Sequence, residues 1–228
     1  MRRSSAVSAS DTVRRSAGCV GVLLAGGSAR RFQGAPKGLA RIAGVRIADR
    51  ALAALAEATE RQLVVANDPR APAWFPDQPV VADAQPGLGP LAGLATAFLA
   101  AEGRAIIVLA WDMPFVPGAL LRSMRRRGEV AEASVVPVHG ADATVEPLCA
   151  YYRAEAGAIV ASLLRTGERS ARALYETLAS AGAAVTMGDR GLERFGEPAR
   201  LFTSVDSAAT LAALGGEPPH LRDDTPRR

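Results

Sequence analysis

Apolar residues along this chain gather in short continuous runs separated by longer amphipathic stretches, the pattern of buried strands alternating with helices. Val20–Leu24 is the first run, followed by Gly26, Gly27 and a cationic stretch reaching Lys37. Gly44 marks a turn, and Ile47, Leu52, Leu55 and Ala56 give one helical face that ends at Ala58. Gln62–Ala66 reads as a second strand closed by the turn signal Asn67-Asp68-Pro69, and Pro79–Ala82 as a third closed by Asp83. Pro90 suits the first turn of a helix that continues through Leu91, Leu94, Ala97 and Phe98 to Ala101. Ala105–Ala110 is the most apolar strand, and Trp111-Asp112-Met113-Pro114 follows at once.

The second half is less regular. Pro117–Arg127 reads as a helix, and Ser134–Val138 and Val145–Ala150 as paired strands joined by the polar loop 139–144. Tyr152–Leu164 and Ser170–Ala181 read as helices, Ala183–Met187 and Leu201–Val205 as strands, and Ser207–Leu214 as a closing helix. Residues 1–18 are rich in Ser, Ala and Arg without periodicity, which predicts a disordered leader. The polar, Pro-rich segment 216–228 predicts a disordered tail, leaving one domain over 19–215. Strands and helices alternating through short connections indicate an α/β fold: a doubly wound, mostly parallel, Rossmann-like sheet flanked by helices.

In such sheets ligands bind outside the carboxyl ends of the strands. The Gly26–Lys37 loop, Asn67, Asp83 and Asp112 each fall just past a predicted strand, so four chemically distinct features share one sheet edge. Charge changes this picture little. Most of the formal +4 resides in the leader, where Arg2, Arg3, Arg14 and Arg15 face Asp11 alone, so no nucleic-acid partner is expected. Arg125-Arg126-Arg127 fits a solvated helix end, and Cys19 and Cys149 fit buried free thiols without metal-ligand spacing. No run approaches the roughly 18 apolar residues of a membrane span, and no apolar stretch of a secretory signal precedes Asp11. The expectation is a cytoplasmic protein without membrane contact.

The Gly-rich loop lacks Gly-x-Gly-x-x-Gly spacing, which argues against a dinucleotide oxidoreductase, and lacks the Walker Gly-Lys-Ser/Thr sequence. Nucleotidyl transfer fits better. It needs cations and backbone N–H groups for a triphosphate and a carboxylate to hold Mg²⁺. Arg31 and Lys37, the chain's only lysine, meet the first need, and Asp112 after a buried strand meets the second. The alternative for Asp112 is an N-cap of the helix near Pro117, and for Asn67 and Asp83 turn caps.

Leu24-Ala25-Gly26-Gly27-Ser28-Ala29-Arg30-Arg31 with Lys37-Gly38-Leu39 resembles the opening signature of molybdenum cofactor guanylyltransferases. Those enzymes belong to the Rossmann-like nucleotidyltransferases of nucleotide-diphospho-sugar-transferase type. The resemblance continues through Asn67, Asp83, Gly89–Gly93 and Leu109–Phe115, and more weakly through Glu146–Ala150 and Phe202–Leu211. It implies a nucleotide-binding half over 19–116 and an acceptor-binding half over 117–215. Leu24, Ala25, Gly26, Gly27, Asn67 and Asp83 would bind the nucleotide, Lys37 its phosphates, and Asp112 both Mg²⁺ and the triphosphate. Arg31 is the candidate for neutralising leaving pyrophosphate, and Glu146, Ser204 and Asp206 are candidates for acceptor binding.

The implied reaction transfers GMP from GTP to molybdopterin-type cofactor with release of pyrophosphate. The product's recipients, molybdoenzymes, or other cofactor-synthesis proteins are the macromolecules such an enzyme would meet. Cytidylyl transfer to the same pterin, a sugar-phosphate nucleotidyltransferase, and a non-catalytic nucleotide-binding regulator are the alternatives. This chain departs from the family pattern at Phe32-Gln33, where Met-Gly is usual, and at Pro36, where Asp is usual. It also places Trp111 where Cys or Gly precedes the metal-binding Asp, and Ser204-Val205-Asp206-Ser207 where Asn-Val-Asn-Thr is typical.

Overall fold

A strand that is apolar at every position must be covered on both faces, and Val20–Leu24 (β1), buried throughout, lies at the heart of a sheet. The structure, a computed structural model, describes residues 18–26 and 36–219. After β1 come the short hairpin Arg41–Ile42 (β2) and Val45–Arg46 (β3), then helix Ile47–Ala56 (α1) and strand Arg61–Val65 (β4). A helical turn at Ala71–Trp74 (α2) precedes Val80–Val81 (β5), helix Pro90–Ala101 (α3) and strand Ile106–Ala110 (β6). β1, α1, β4, β5, α3 and β6 follow the sequence reading closely, with ends shifted by a residue or two, whereas the β2–β3 hairpin and α2 were not expected.

The second half adds helix Gly118–Ala131 (α4), strands Ser134–His139 (β7), Thr144–Val145 (β8) and Cys149–Tyr152 (β9), and helices Ala156–Arg165 (α5) and Ala171–Ser180 (α6). Strand Ala184–Met187 (β10), turns Asp189–Leu192 (α7) and Pro198–Leu201 (α8), helix Ala208–Ala213 (α9) and strand Gly216–Glu217 (β11) complete it. The main sheet has the order β10-β7-β9-β6-β1-β4-β5. Its pairs β1–β4, β1–β6, β4–β5 and β7–β10 are parallel; β9 runs antiparallel between β6 and β7, and β8 pairs antiparallel with β7. One core layer packs α1 and α4 against the sheet, around Leu23, Leu55, Leu109 and Met124. The opposite layer packs α3, α5 and α6 around Val22, Leu94, Val108 and Leu174. This is the mostly parallel, helix-flanked sheet expected from the strand pattern.

Four sequence readings are corrected. The run Val145–Ala150 is not one strand: Pro147, which has no N–H for a ladder, separates β8 from β9. Tyr152 consequently ends β9 instead of starting a helix, and α5 begins at Ala156. Leu201–Val205 is not a strand. Pro198 starts the turn α8, and 202–207 then runs as an irregular strap whose Val205 N–H donates to the Asp112 carbonyl at 2.9 Å. The disordered tail expected from 216 is contradicted at its start, because Gly216–Glu217 pairs with Arg41–Ile42; residues 220–228 lie outside the described residues, as do 1–17.

Both cysteines are free and buried, and burial pushes the Cys19 thiol up to about 12. No described helix is long and apolar enough to cross a membrane.

Helix α4 also outruns its expected end at Arg127, passing through Gly128 to Ala131. The absent side chain is what packing requires: a Cβ on Gly128 would overlap the buried Tyr151 ring and lie 2.8 Å from the Ala133 carbonyl oxygen. Helix propensity alone predicts that Gly128→Ala stabilises by about 1 kcal/mol. Overpacking against Tyr151 reverses the sign, so the variant is expected to lose about 1–2 kcal/mol net. Urea denaturation checks this as a lower midpoint with an unchanged slope.

Candidate active site

Register builds the site. Across β4, β1 and β6 the pairs Leu24↔Val65 and Leu24↔Ala110 align, and Val65↔Val81 carries the line into β5. The chain therefore leaves four parallel strands at one level, delivering Ala25-Gly26, Asn67, Asp83 and Asp112 to the same edge. Backbone bonds extend the ladder slightly beyond the strands: Ala25 N–H to Val65 O (2.9 Å), Ala66 N–H to Val81 O (3.0 Å) and Trp111 N–H to Leu24 O (3.2 Å). Gly27 and Arg31, together with Phe32 and Gln33, lie outside the described residues.

Lys37 opens a 3-10 turn, Lys37–Leu39, preceded by Pro36 in an extended conformation. Its ammonium donates to Asp112 Oδ2 and, at 2.9 Å, to Asp206 Oδ1. The Ser204 hydroxyl donates to the same Asp112 Oδ2 at 3.0 Å. Asp112 is 7% exposed, and an ionised carboxylate so buried requires such donors. Burial pulls the Lys37 ammonium down, but Asp112 and Asp206 outweigh it and hold Lys37 above its ordinary value. Asp112 is not a helix cap: α4 has Pro117 at its N-cap position, with no side-chain capping bond.

Trp111 supports this turn from beneath. Its indole lies so close to Gly38 that any Cβ there would overlap the ring. It also stacks on Trp74 with centroids 6.4 Å apart. The large side chain next to the buried Asp is thus directed into the core, where it packs under Lys37-Gly38.

Asn67 and Asp83 form a second group. The Asn67 side-chain oxygen accepts the Asp83 N–H at 3.1 Å. Asp83 Oδ1 accepts from the Gln85 N–H and from the Thr96 hydroxyl, both at 3.0 Å. These bonds brace the β5–α3 loop, so Asp83 serves the turn as well as facing the edge.

Glu146 lies on the other side of Asp112. His139 Nε2 and Glu146 Oε1 are 3.0 Å apart, with side chains 15% and 14% exposed. Burial raises the Glu146 carboxyl above its ordinary value; His139 opposes this and the charge of Asp112 adds to it. The His139 ring stacks on Phe202, centroids 4.9 Å apart, at the head of the strap that carries Ser204 and Asp206. Sequence reasoning passed over His139 as a loop residue. The available signal was its place at the end of a strand, since β7 points the same way as β6 and ends on the same edge.

The oxygens of this cluster are hard donors: two carboxylates accept from the Lys37 ammonium, and the Ser204 hydroxyl bonds to one of them, Asp112. Mg²⁺ characteristically takes one or two carboxylates plus substrate phosphates. Among the described residues no cluster of three or more His, Cys, Asp or Glu stands ready to hold a metal. Asp112 and Asp206 supply the one or two carboxylates that such an ion takes.

Comparisons with known proteins identify the family and the fold. Residues 21–184 match the family described as MobA-like NTP transferase domain. A probable molybdenum cofactor guanylyltransferase of Chloroflexus aggregans is 36% identical over 154 residues, covering 65% of this chain and 72% of that protein. Molybdopterin-guanine dinucleotide biosynthesis protein A from Archaeoglobus fulgidus shares the fold with a TM-score of 0.71 at 23% identity, over 86% of this chain and 96% of that one. A Mycobacterium tuberculosis protein crystallised in complex with manganese shares it with a TM-score of 0.56 at 18% identity, over 75% of this chain and 89% of that one. The chain belongs to the MobA-like NTP transferase family and is a nucleotidyltransferase grouped with the molybdenum cofactor guanylyltransferases.

Proposed function

We propose that this protein is a cytoplasmic, Mg²⁺-dependent enzyme that transfers GMP from GTP to molybdopterin-type molybdenum cofactor and releases pyrophosphate. The observation that carries the reading is the Lys37 ammonium shared by Asp112 and Asp206 at the carboxyl edge of the sheet. A site that gathers one cation and two hard-oxygen carboxylates suits a metal-bound triphosphate. The curated relative's name, a guanylyltransferase, supports the choice of GTP and pterin.

In this reading an oxygen of the acceptor phosphate bonds to the α-phosphorus, and the bond from that phosphorus to the bridging oxygen breaks. The electron pair leaves with pyrophosphate. Mg²⁺, when bound, supplies Lewis-acid neutralisation of phosphate charge, and Asp112 and Asp206 would hold it. Lys37 is the counterion of those carboxylates in the free enzyme, and the triphosphate draws its ammonium toward phosphate oxygen. Arg31 assists on the pyrophosphate side. Leu24 to Gly27 would approach the nucleotide through backbone, with the Leu24 carbonyl and the Ala25 N–H already engaged at the sheet edge. Asn67 and Asp83 flank the guanosine, and Glu146, Ser204 and Asp206 face the acceptor.

Three expectations follow from these roles. Asp112→Ala should cut pyrophosphate release by about 10²–10³-fold, the scale of losing a group that stabilises transition-state charge, with the far-UV dichroism of the sheet retained. Unchanged turnover removes Asp112 from the mechanism. Labelled GTP should deliver its nucleotide to the pterin; incorporation from CTP alone overturns the guanylyl assignment.

The raised Lys37 pKa sets the third. Its ion pairs stabilise the fold in full below the ordinary lysine value of 10.5, and this contribution fades as pH rises through the higher folded value. Urea titrations should show the stability gap between wild type and Lys37→Gln constant through neutral pH and shrinking above 10.5. A gap that persists undiminished well into alkaline conditions contradicts the pairing.

A further inference from the structure

The strap 202–207 carries two of the groups that converge on the Lys37–Asp112 cluster, yet it joins no strand of the main sheet. An irregular segment holds a fixed shape only when side chains or backbone bonds tie it down. Two ties are visible at its downstream part. Val205 is fully buried in a small cluster with Ala40, Ile42, Ile47 and Leu211, and its N–H donates to the Asp112 carbonyl. Ser207 caps α9 by accepting the Thr210 N–H at 3.0 Å.

Upstream, Phe202 and Thr203 donate their N–H groups to Pro198 and Arg200 of α8, both at 3.2 Å, and one further tie is different in kind. Phe202, 5% exposed, lies against the ring of His139 with the two planes 26° apart. His139 is itself held from two directions. Its Nε2 meets Glu146 at 3.0 Å, and the next residue, Gly140, donates its N–H to the Asp189 carboxylate of α7 at 3.2 Å. The imidazole is therefore a fixed plate on the last residue of β7, and the strap rests on it just before Ser204.

We infer that His139 is a positioning residue for nucleotidyl transfer: oriented by Glu146, its ring seats Phe202 and so sets Ser204 and Asp206 against Asp112 and Lys37. The bearing on transfer rests on the function proposed above, whereas the seating of the strap does not. Misplacing a reacting group by an ångström costs on the order of 10²-fold in rate, so a seat one residue away from Ser204's neighbour has kinetic consequences without touching substrate. His139 Nε2 is engaged by a carboxylate, which leaves the flat ring as the part that the strap uses.

The test separates the seat from the chemistry. Hydrogen exchange followed by mass spectrometry on the full chain, without substrate, reads the strap directly. His139→Ala should raise exchange across 202–206 by about tenfold or more, as a locally opened segment does, with β1 and β6 unchanged. His139→Phe keeps a ring against Phe202 and should restore most of the protection. In transfer assays the alanine variant should lose about 10²-fold in kcat, with the affinity for nucleotide alone much less altered, and the phenylalanine variant should recover most of that rate.

Exchange at 202–206 that stays at the wild-type level in His139→Ala overturns the proposal, since the Val205 anchor then suffices. A rise spread equally over β1 and β6 overturns it too, by making His139 a general determinant of stability. If the alanine variant does not fold, Phe202→Leu removes the same stack from the strap's side and carries the same two criteria. Absence of transfer in the wild type would refute the proposed function while leaving the exchange result to decide the seat.

Discussion

The carboxylate of Asp112 is the constraint around which the site closes. It stands two residues past a fully buried strand and keeps only 7% of its surface, so an ionised carboxylate there depends on donors supplied by protein. Those donors come from remote parts of the chain: Lys37 lies 75 residues before it and Ser204 lies 92 residues after. The 3-10 turn and the strap are thus drawn onto the same atom from opposite sides. Trp111 reinforces the arrangement from the core, since its indole leaves room beneath the turn only for a glycine at position 38.

Sheet topology then sorts the chemistry along the edge. Parallel β4, β5, β1 and β6 end level, which puts Asn67 and Asp83 on one side of the Lys37 cluster. On the other side β9 is inserted antiparallel between β6 and β7. A reversed strand presents its beginning, not its end, at that edge, and so Glu146 falls between Asp112 and His139. The carboxylate is raised chiefly by burial, with His139 on one side opposing and Asp112 on the other adding. A single reversal of strand direction accounts for a buried acid standing next to a histidine that belongs to the neighbouring parallel strand.

Much of the first half was legible because parallel strands covered on both faces read as unbroken apolar runs. Val20–Leu24 and Pro90–Ala101 were read to the residue, and the clustering of Asn67, Asp83 and Asp112 followed from strand ends alone. The second half resisted for identifiable reasons. Pro147 splits an apolar run that otherwise looks like one strand, and Gly128 sits inside a helix because Tyr151 needs its space. Phe202 and Val205 are apolar for two separate anchors and not for a shared sheet face.

By itself the sequence determined where the strands of the first half end and which chemistry stands there, because burial periodicity is a local property of the chain. It left Asp112 open between a ligand and a helix cap, and it left His139 in a loop. Only tertiary structure excluded the cap and gave His139 its partners, by bringing Lys37 to Asp206 across 169 residues and His139 to Glu146 and Phe202. The physical reason is that ion pairs and ring stacks of this separation depend on strand order and direction. Those are set by how whole layers pack, and no window of sequence encodes them.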